Sequence, residues 1–277
     1  MEIESYVAER RKNKKKKSRK LFIATVVFLA ILVVVAVLWV FFRSPFLRVK
    51  RVVIEGNSAV PSDNIMDLLR REALLDHGFP ASLLGLDSMF VWPTALTPGE
   101  LAMLPQLSSL QIHKNYWNRT ITVDVTERQP LAIWCSMPKI DANGNPEGDE
   151  ACYWFDDTGT LFLRAFDTEG SAISAVHDYS QHGAVLQGKI LPDIFIPNLI
   201  SILTVVRQSG LNVQEIALND INLQEIDVST YGGPGLSFSL RFPADEDAPV
   251  LASLMANPDF NKLQYVDFRV ENRAYYK

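Results

Sequence analysis

The sequence predicts an α+β protein of 277 residues, carried on a single transmembrane helix and ending in a strand-rich domain with two helices. Three observations predict it. Residues 21–42 form an apolar run whose one polar member is Thr25. Leu110 and Ile112, then Ile121, Val123 and Val125, alternate with polar residues as the two strands of a hairpin do. Beyond residue 131, short β-branched and aromatic runs separated by turn residues outnumber two helical patterns.

At about 1.5 Å per residue, the 22 residues of the first run span roughly 33 Å, which matches a bilayer core of about 30 Å. Residues 1–20 form a basic tail in which nine Lys/Arg stand against three Glu, a balance of +6. Lys14, Lys15, Lys16, Lys17, Arg19 and Lys20 precede the run and Arg43 and Arg48 follow it. The positive-inside rule therefore keeps the N-terminus in the cytoplasm and exports the rest, as in a single-pass type II membrane protein. A cleavable signal peptide would have a shorter apolar region, of about 7–15 residues, with small residues at its cleavage site. Leu38-Trp39-Val40-Phe41-Phe42 offers none. The whole chain carries −5, the tail +6 and Arg43 one more, so residues 44–277 carry −12. An acidic exported part argues against nucleic acid as a partner, because that needs a basic footprint on the folded region.

Residues 47–130 read as a small mixed module in the order βααββ. Residues 49–55 are β-branched and apolar and end at Gly56-Asn57, as a strand entering a turn. Ser62 can cap a helix in which Ile65, Leu68 and Leu69 make one apolar stripe. Thr97-Pro98-Gly99-Glu100 is a second start signal, with Pro at the first helical position and Glu placed to close a capping box. Pro105 ends that helix early, and the hairpin follows around Tyr116-Trp117-Asn118-Arg119. The connection over 72–96 is long.

In residues 131–277, Leu131-Ala-Ile-Trp-Cys135 and Cys152-Tyr-Trp-Phe155 flank a polar stretch containing Asn143-Gly144. A hairpin would set Cys135 opposite Cys152 as a disulfide; two unpaired thiols packed as small hydrophobes are the alternative. Asp156-Asp157-Thr158-Gly159 reads as a tight turn, and the polar stretch 167–188 reads as a loop. Asn198 is placed to cap a helix carrying Leu199, Ile202, Leu203 and Val206, with Gly210 at its exit. Strands are predicted at 213–218, 223–228 and 236–242, a short helix from Asp247 and Pro249, and one long strand over 263–277.

Little in the chain points to catalysis. Asp157-Thr158-Gly159 resembles the loop of an aspartic protease, but that mechanism needs two carboxylates sharing a proton, and no second copy occurs. A plain β-turn accounts for the same residues. No Gly-x-Ser-x-Gly, P-loop or His-Glu-x-x-His motif occurs, and His77, His113, His177 and His182 lack ligand spacing. No catalytic residue, metal or cofactor is expected. Asn118-Arg119-Thr120 fits a glycosylation sequon, although Asn is expected in a turn anyway.

The order of these features resembles the FtsQ/DivIB family of bacterial cell-division proteins. Val49-Lys-Arg-Val-Val-Ile-Glu-Gly-Asn57 before a helix, then Leu104-Pro105 and the hairpin, resemble its POTRA domain. Within the hairpin the Tyr-Trp turn, Glu127-Arg128-Gln-Pro130 and Ala132-Ile-Trp134 resemble the family pattern. So do Phe155-Asp-Asp-Thr-Gly-Thr-Leu-Phe162 and Tyr265-Val-Asp-Phe-Arg269 in its β domain. Asn118 stands where the family has Pro, and 72–96 and 137–151 resemble insertions. The resemblance implies a tail over 1–20, a transmembrane helix over 21–42, a POTRA domain over 47–130 and a β domain over 131–277. It also implies a non-catalytic scaffold of the divisome at the division septum. That scaffold would join FtsB/DivIC-type and FtsL-type partners and other divisome proteins, and so govern septal peptidoglycan synthesis. An anchored hydrolase and a receptor for cell-wall fragments are the competing readings.

By position after Tyr265-Val-Asp-Phe-Arg269, the last strand resembles the one that meets FtsB. Strand addition at an open edge is the expected mode, with Phe268, Val270, Asn272, Ala274 and Tyr276 on one face and Arg269, Glu271, Arg273 and Tyr275 on the other. Tyr275 and Tyr276 are the expected anchors. An interior or solvent-facing strand is the alternative.

Overall fold

A computed structural model describes residues 2–42, 44–76, 84–140, 146–147, 150–166, 174–180 and 184–277. It is a mixed α+β structure. Helix α1, Glu2–Phe42, runs for 41 residues, so the basic tail is helical and continuous with the apolar run. Its segment Phe22–Phe41 has a mean hydropathy of 3.1 and is nowhere buried. That helix is long and apolar enough to cross a membrane.

The chain divides into two compact units. The first comprises Met1–Gly56, Pro61–Leu96 and Leu110–Asp124; the second comprises Asn57–Val60, Thr97–Ser109 and Val125–Lys277. Strand β1 (Arg51–Glu55) runs parallel to β3 (Thr120–Glu127), with Arg51 beside Thr120 and Glu55 beside Asp124. Strand β2 (Leu107–Asn115) completes a sheet of order β1-β3-β2. Alternation is realised here: Ile112, Ile121, Val123 and Val125 are all buried. Helix α2 (Ser62–Asp76) buries Ile65, Leu68, Leu69 and Ala73, one stripe at helical spacing, with Ser62 as its first residue.

In the second unit the short helix α3 (Pro98–Leu101) begins at the predicted capping box. Thr97 Oγ1 accepts from the Glu100 N–H at 3.3 Å, and the Thr97 N–H donates to Glu100 Oε2 at 2.6 Å. The main body is a nine-stranded sheet of order β14-β13-β12-β11-β10-β9-β4-β7-β8. Its strands are β4 (Ala132–Ser136), β7 (Ala151–Phe155), β8 (Leu161–Ala165), β9 (Ala175–Asp178), β10 (Val213–Leu218), β11 (Glu225–Thr230), β12 (Gly235–Ser239), β13 (Tyr265–Val270) and β14 (Arg273–Tyr276). Lys139–Ile140 and Pro146–Glu147 pair separately as β5 and β6. Helices α4 (Ile196–Ser209) and α5 (Asp247–Met255) bury Leu199, Ile202, Val206 and Leu251 in one cluster with Trp134, Val228, Phe238 and Phe268 of the sheet. The other face of β4 is also covered, because Ile133 and Cys135 join Cys152, Ala165 and Ala175 in a second cluster.

Three expectations are corrected. The polar stretch 167–188 contains β9, which lies inside the sheet and pairs in parallel with both β4 and β10. Helix α4 starts at Ile196, with Pro197 in its first turn, so Asn198 is not its cap. Its side chain instead donates to the Leu240 carbonyl at 2.7 Å. The long C-terminal strand is a hairpin. Asn272, at φ 61°, turns the chain back, and β14 returns antiparallel to β13. The predicted exit at Gly210 stands, with φ 70°.

Candidate functional site

The C-terminal hairpin ends the sheet, and β14 is its edge strand. Val266 lies opposite Tyr276, and Asp267 opposite Tyr275. Directly opposed residues share a face. Val266, Phe268, Ala274 and Tyr276 therefore lie toward the helix-covered side, and Asp267, Arg269, Arg273 and Tyr275 toward the other. Phe268 is fully buried and stacks on Phe238 with ring centroids 5.2 Å apart, so it supports the edge from the core and offers no side chain to a partner. Val270, the last residue of β13, lies opposite Arg273 and so on the other face from the one predicted; Asn272 forms the turn, Ala274 is half-buried, and Tyr275 and Tyr276 are exposed.

The polar face of this edge is pre-set by Arg269. Its guanidinium donates to Asp267 Oδ1 and Oδ2 at 2.9 and 2.7 Å, and to Glu225 Oε2 at 2.8 Å. These bonds hold Asp267 below the usual carboxylate range and raise the Arg269 value. The ion pairs fix one end of the hairpin across three strands. Along the edge itself, the Lys277 N–H donates inward to the Tyr265 carbonyl at 3.3 Å. Backbone donors alternate sides along a strand, so the N–H groups of Ala274 and Tyr276 point outward from the sheet.

No family model matches this chain, and no curated protein matches it.

The other singled-out residues fall into structural roles. In the turn at 156–159 the central carboxylate belongs to Asp156, not Asp157. Asp156 Oδ1 accepts from the N–H groups of Thr158 and Thr160 at 3.0 and 2.9 Å and from the Thr158 hydroxyl at 2.7 Å. Its Oδ2 accepts from Arg128 at 2.5 Å. Asp157 is exposed, and Gly159 supplies φ 70°. Cys135 and Cys152 lie opposite one another on β4 and β7 and form a disulfide, with Cα atoms 4.0 Å apart. Glu150 stands near both sulfurs, but sulfurs bonded to each other supply no thiolate for a metal. Asn118 lies in the β2–β3 turn and is exposed; His113 and His177 sit on strands β2 and β9, and His77 and His182 lie outside the described residues.

Sequence reasoning missed Glu127 and Arg128 as structural groups. Glu127 Oε1 and Oε2 gather the N–H groups of Ser58, Ala59 and Val60 and the Ser58 hydroxyl, at 2.8–3.1 Å. Arg128 Nε also donates to the Pro105 carbonyl at 3.1 Å. A Glu-Arg pair placed where a strand ends was the available signal, since only carboxylate and guanidinium can satisfy so many backbone groups at once.

Proposed function

We propose that this protein is a non-catalytic, membrane-anchored scaffold of the FtsQ/DivIB type. In this reading it is held in the cytoplasmic membrane of a bacterium with residues 43–277 outside. Residues 47–130 serve as a POTRA domain and 131–277 as a β domain that gathers FtsB/DivIC-type and FtsL-type partners at the division septum. The observation that carries the reading is the open edge at β14, where the outward N–H groups of Ala274 and Tyr276 are available to an added strand. Exposed Tyr275 and Tyr276 flank that edge as aromatic anchors, one on each face. The chain order of span, hairpin motif and Asp156 turn supports the family assignment.

The test is strand addition by a candidate FtsB-type partner to the full chain. Ala274→Pro removes one outward donor and no bond of the fold, so it should keep the native circular dichroism spectrum and lose partner capture. Tyr275→Ala and Tyr276→Ala should weaken capture separately. Undiminished capture by a folded Ala274→Pro protein removes the edge mechanism. Failure of a fluorescent fusion to gather at mid-cell removes the divisome assignment. Protease added to spheroplasts checks the topology, and a protected C-terminus overturns it.

A further inference from the structure

We infer that the turn at 116–119, the tip of the β2–β3 hairpin, sits in the phospholipid headgroup layer of the membrane that α1 crosses, with Trp117 as an interfacial anchor. The inference rests on the membrane-anchor reading of α1.

Sheet topology fixes which end of the hairpin faces the bilayer. Because β1 and β3 are parallel with Arg51 beside Thr120, both strands start at the same end of the sheet. Strand β1 starts where the chain arrives from α1. The turn that precedes β3 therefore lies at the membrane-proximal end. In the link that follows, the Ser44 N–H donates to the Phe41 carbonyl at 3.1 Å, and Pro45–Leu47 form a 3-10 turn. Arg119 ties the turn to this link at two points. Its guanidinium donates to the Pro45 carbonyl at 2.9 Å, and its own carbonyl accepts from the Lys50 N–H at 2.8 Å.

Distances then decide whether the tip can reach lipid. Pro45 is four residues beyond Phe41, the last residue of the apolar segment. The polar layer on each side of a bilayer core is roughly 5–7 Å deep. Trp117 is two residues from Arg119, within about 8 Å of it along the chain, so its ring lies within reach of that layer. It is 86% exposed, the second most exposed large hydrophobic side chain among the described residues. An indole, with an apolar body and one N–H, is the side chain that membrane interfaces favour. Tyr116 stands beside it, packed against Phe90 with centroids 6.1 Å apart. Arg48, Lys50 and Arg51 are exposed on the same side, against one exposed acid, Asp87, whose carbonyl accepts from the Val49 N–H. That excess of cations suits anionic headgroups.

The test uses the full chain in vesicles of phosphatidylcholine and phosphatidylglycerol. A nitroxide is attached to Asn118→Cys, since Cys135 and Cys152 are joined and leave a single reactive thiol. Collision with oxygen and with a water-soluble nickel chelate is compared with labels at Val34→Cys, inside α1, and Leu223→Cys, on an exposed turn. Position 118 should collide several-fold less with nickel than position 223 while keeping its oxygen collisions, and adding Trp117→Ser should return it to the level of position 223. A water-like signal at 118 with a lipid-like signal at 34 overturns the inference and leaves the anchor standing. A water-like signal at 34 removes both. Loss of oxygen and nickel collisions together at 118 means a protein contact and overturns the lipid assignment, as does shielding that survives Trp117→Ser.

Discussion

Arg128 Nη1 donates to Asp156 Oδ2 at 2.5 Å, joining the residue that follows β3 to the turn between β7 and β8. The Asp156 side chain is only 4% exposed, so its charge depends on this partner and on the turn's own donors. Burial opposes its ionisation, but the Thr158 hydroxyl, the Thr160 N–H and Arg128 outweigh burial and hold it below the usual carboxylate range.

Arg128→Met should therefore be severe. It leaves a buried carboxylate without its cation, a loss of about 3–5 kcal/mol. Arg128→Lys should recover part of that, because an ammonium restores charge but not the fork that also reaches the Pro105 carbonyl. Urea midpoints of the two variants check the order.

Glu127 predicts a pH dependence. Burial would raise its pKa, yet the N–H groups of Ala59, Val60 and Ser58 prevail and bring it from 4.5 to about 2. A depressed carboxylate stabilises the fold above its unfolded value, and that stability is lost as pH falls through the folded value. Wild-type stability should thus decline between about pH 4.5 and about pH 2. Glu127→Gln should lack that part of the decline and be weaker at neutral pH by about 1 kcal/mol. Urea titrations at stepped pH measure both.

Two glycines with the same φ of 70° should respond differently to alanine. A Cβ at Gly159 would meet Ile196 Cδ1 at 2.6 Å and Ile190 Cγ1 at 3.2 Å, whereas at Gly210 it meets nothing within 4 Å. Gly210→Ala should cost about 1–2 kcal/mol, the left-handed penalty alone. Gly159→Ala should cost more, on the order of 3 kcal/mol, because overpacking adds to it. Thermal unfolding of the pair separates the two contributions.

Mass spectrometry of the native chain without reductant should find Cys135 and Cys152 unavailable to alkylation. Replacing both by serine should destabilise the fold by about 2–4 kcal/mol, since the bond closes a loop with a sequence separation of 17. Two reactive thiols in the folded protein would refute the pairing.

Features governed by local chemistry could be read before any fold was known. The capping box at Thr97, the turn around Asp156 and the exit at Gly210 each need only neighbouring residues to form. Strand β9 was hidden because half of its four residues are His177 and Asp178, so no apolar run marks it. Its place is set by two distant strands. The fold-back at Asn272 did carry a signal, since Asn tolerates positive φ, but alternation on both sides masked it. At the candidate edge, Tyr275 and Tyr276 were legible from composition, whereas the burial of Phe268 depends on its stacking with Phe238, a contact across strands.

The position of β9 also orders assembly in time. Strands β4, β7 and β8 can zip from antiparallel neighbours, and β10 to β14 can gather separately, but within the sheet the two groups are joined through the four residues of β9, which pair in parallel on both sides. Such pairings between remote segments form slowly, because chain entropy is lost before contacts compensate. Until Val176 is inserted, the inner edges of β4 and β10 lack their partner, and unpaired edges are where a folding chain is most exposed to aggregation. The shortest strand of the large sheet's interior is thus expected to pace the closing of that sheet.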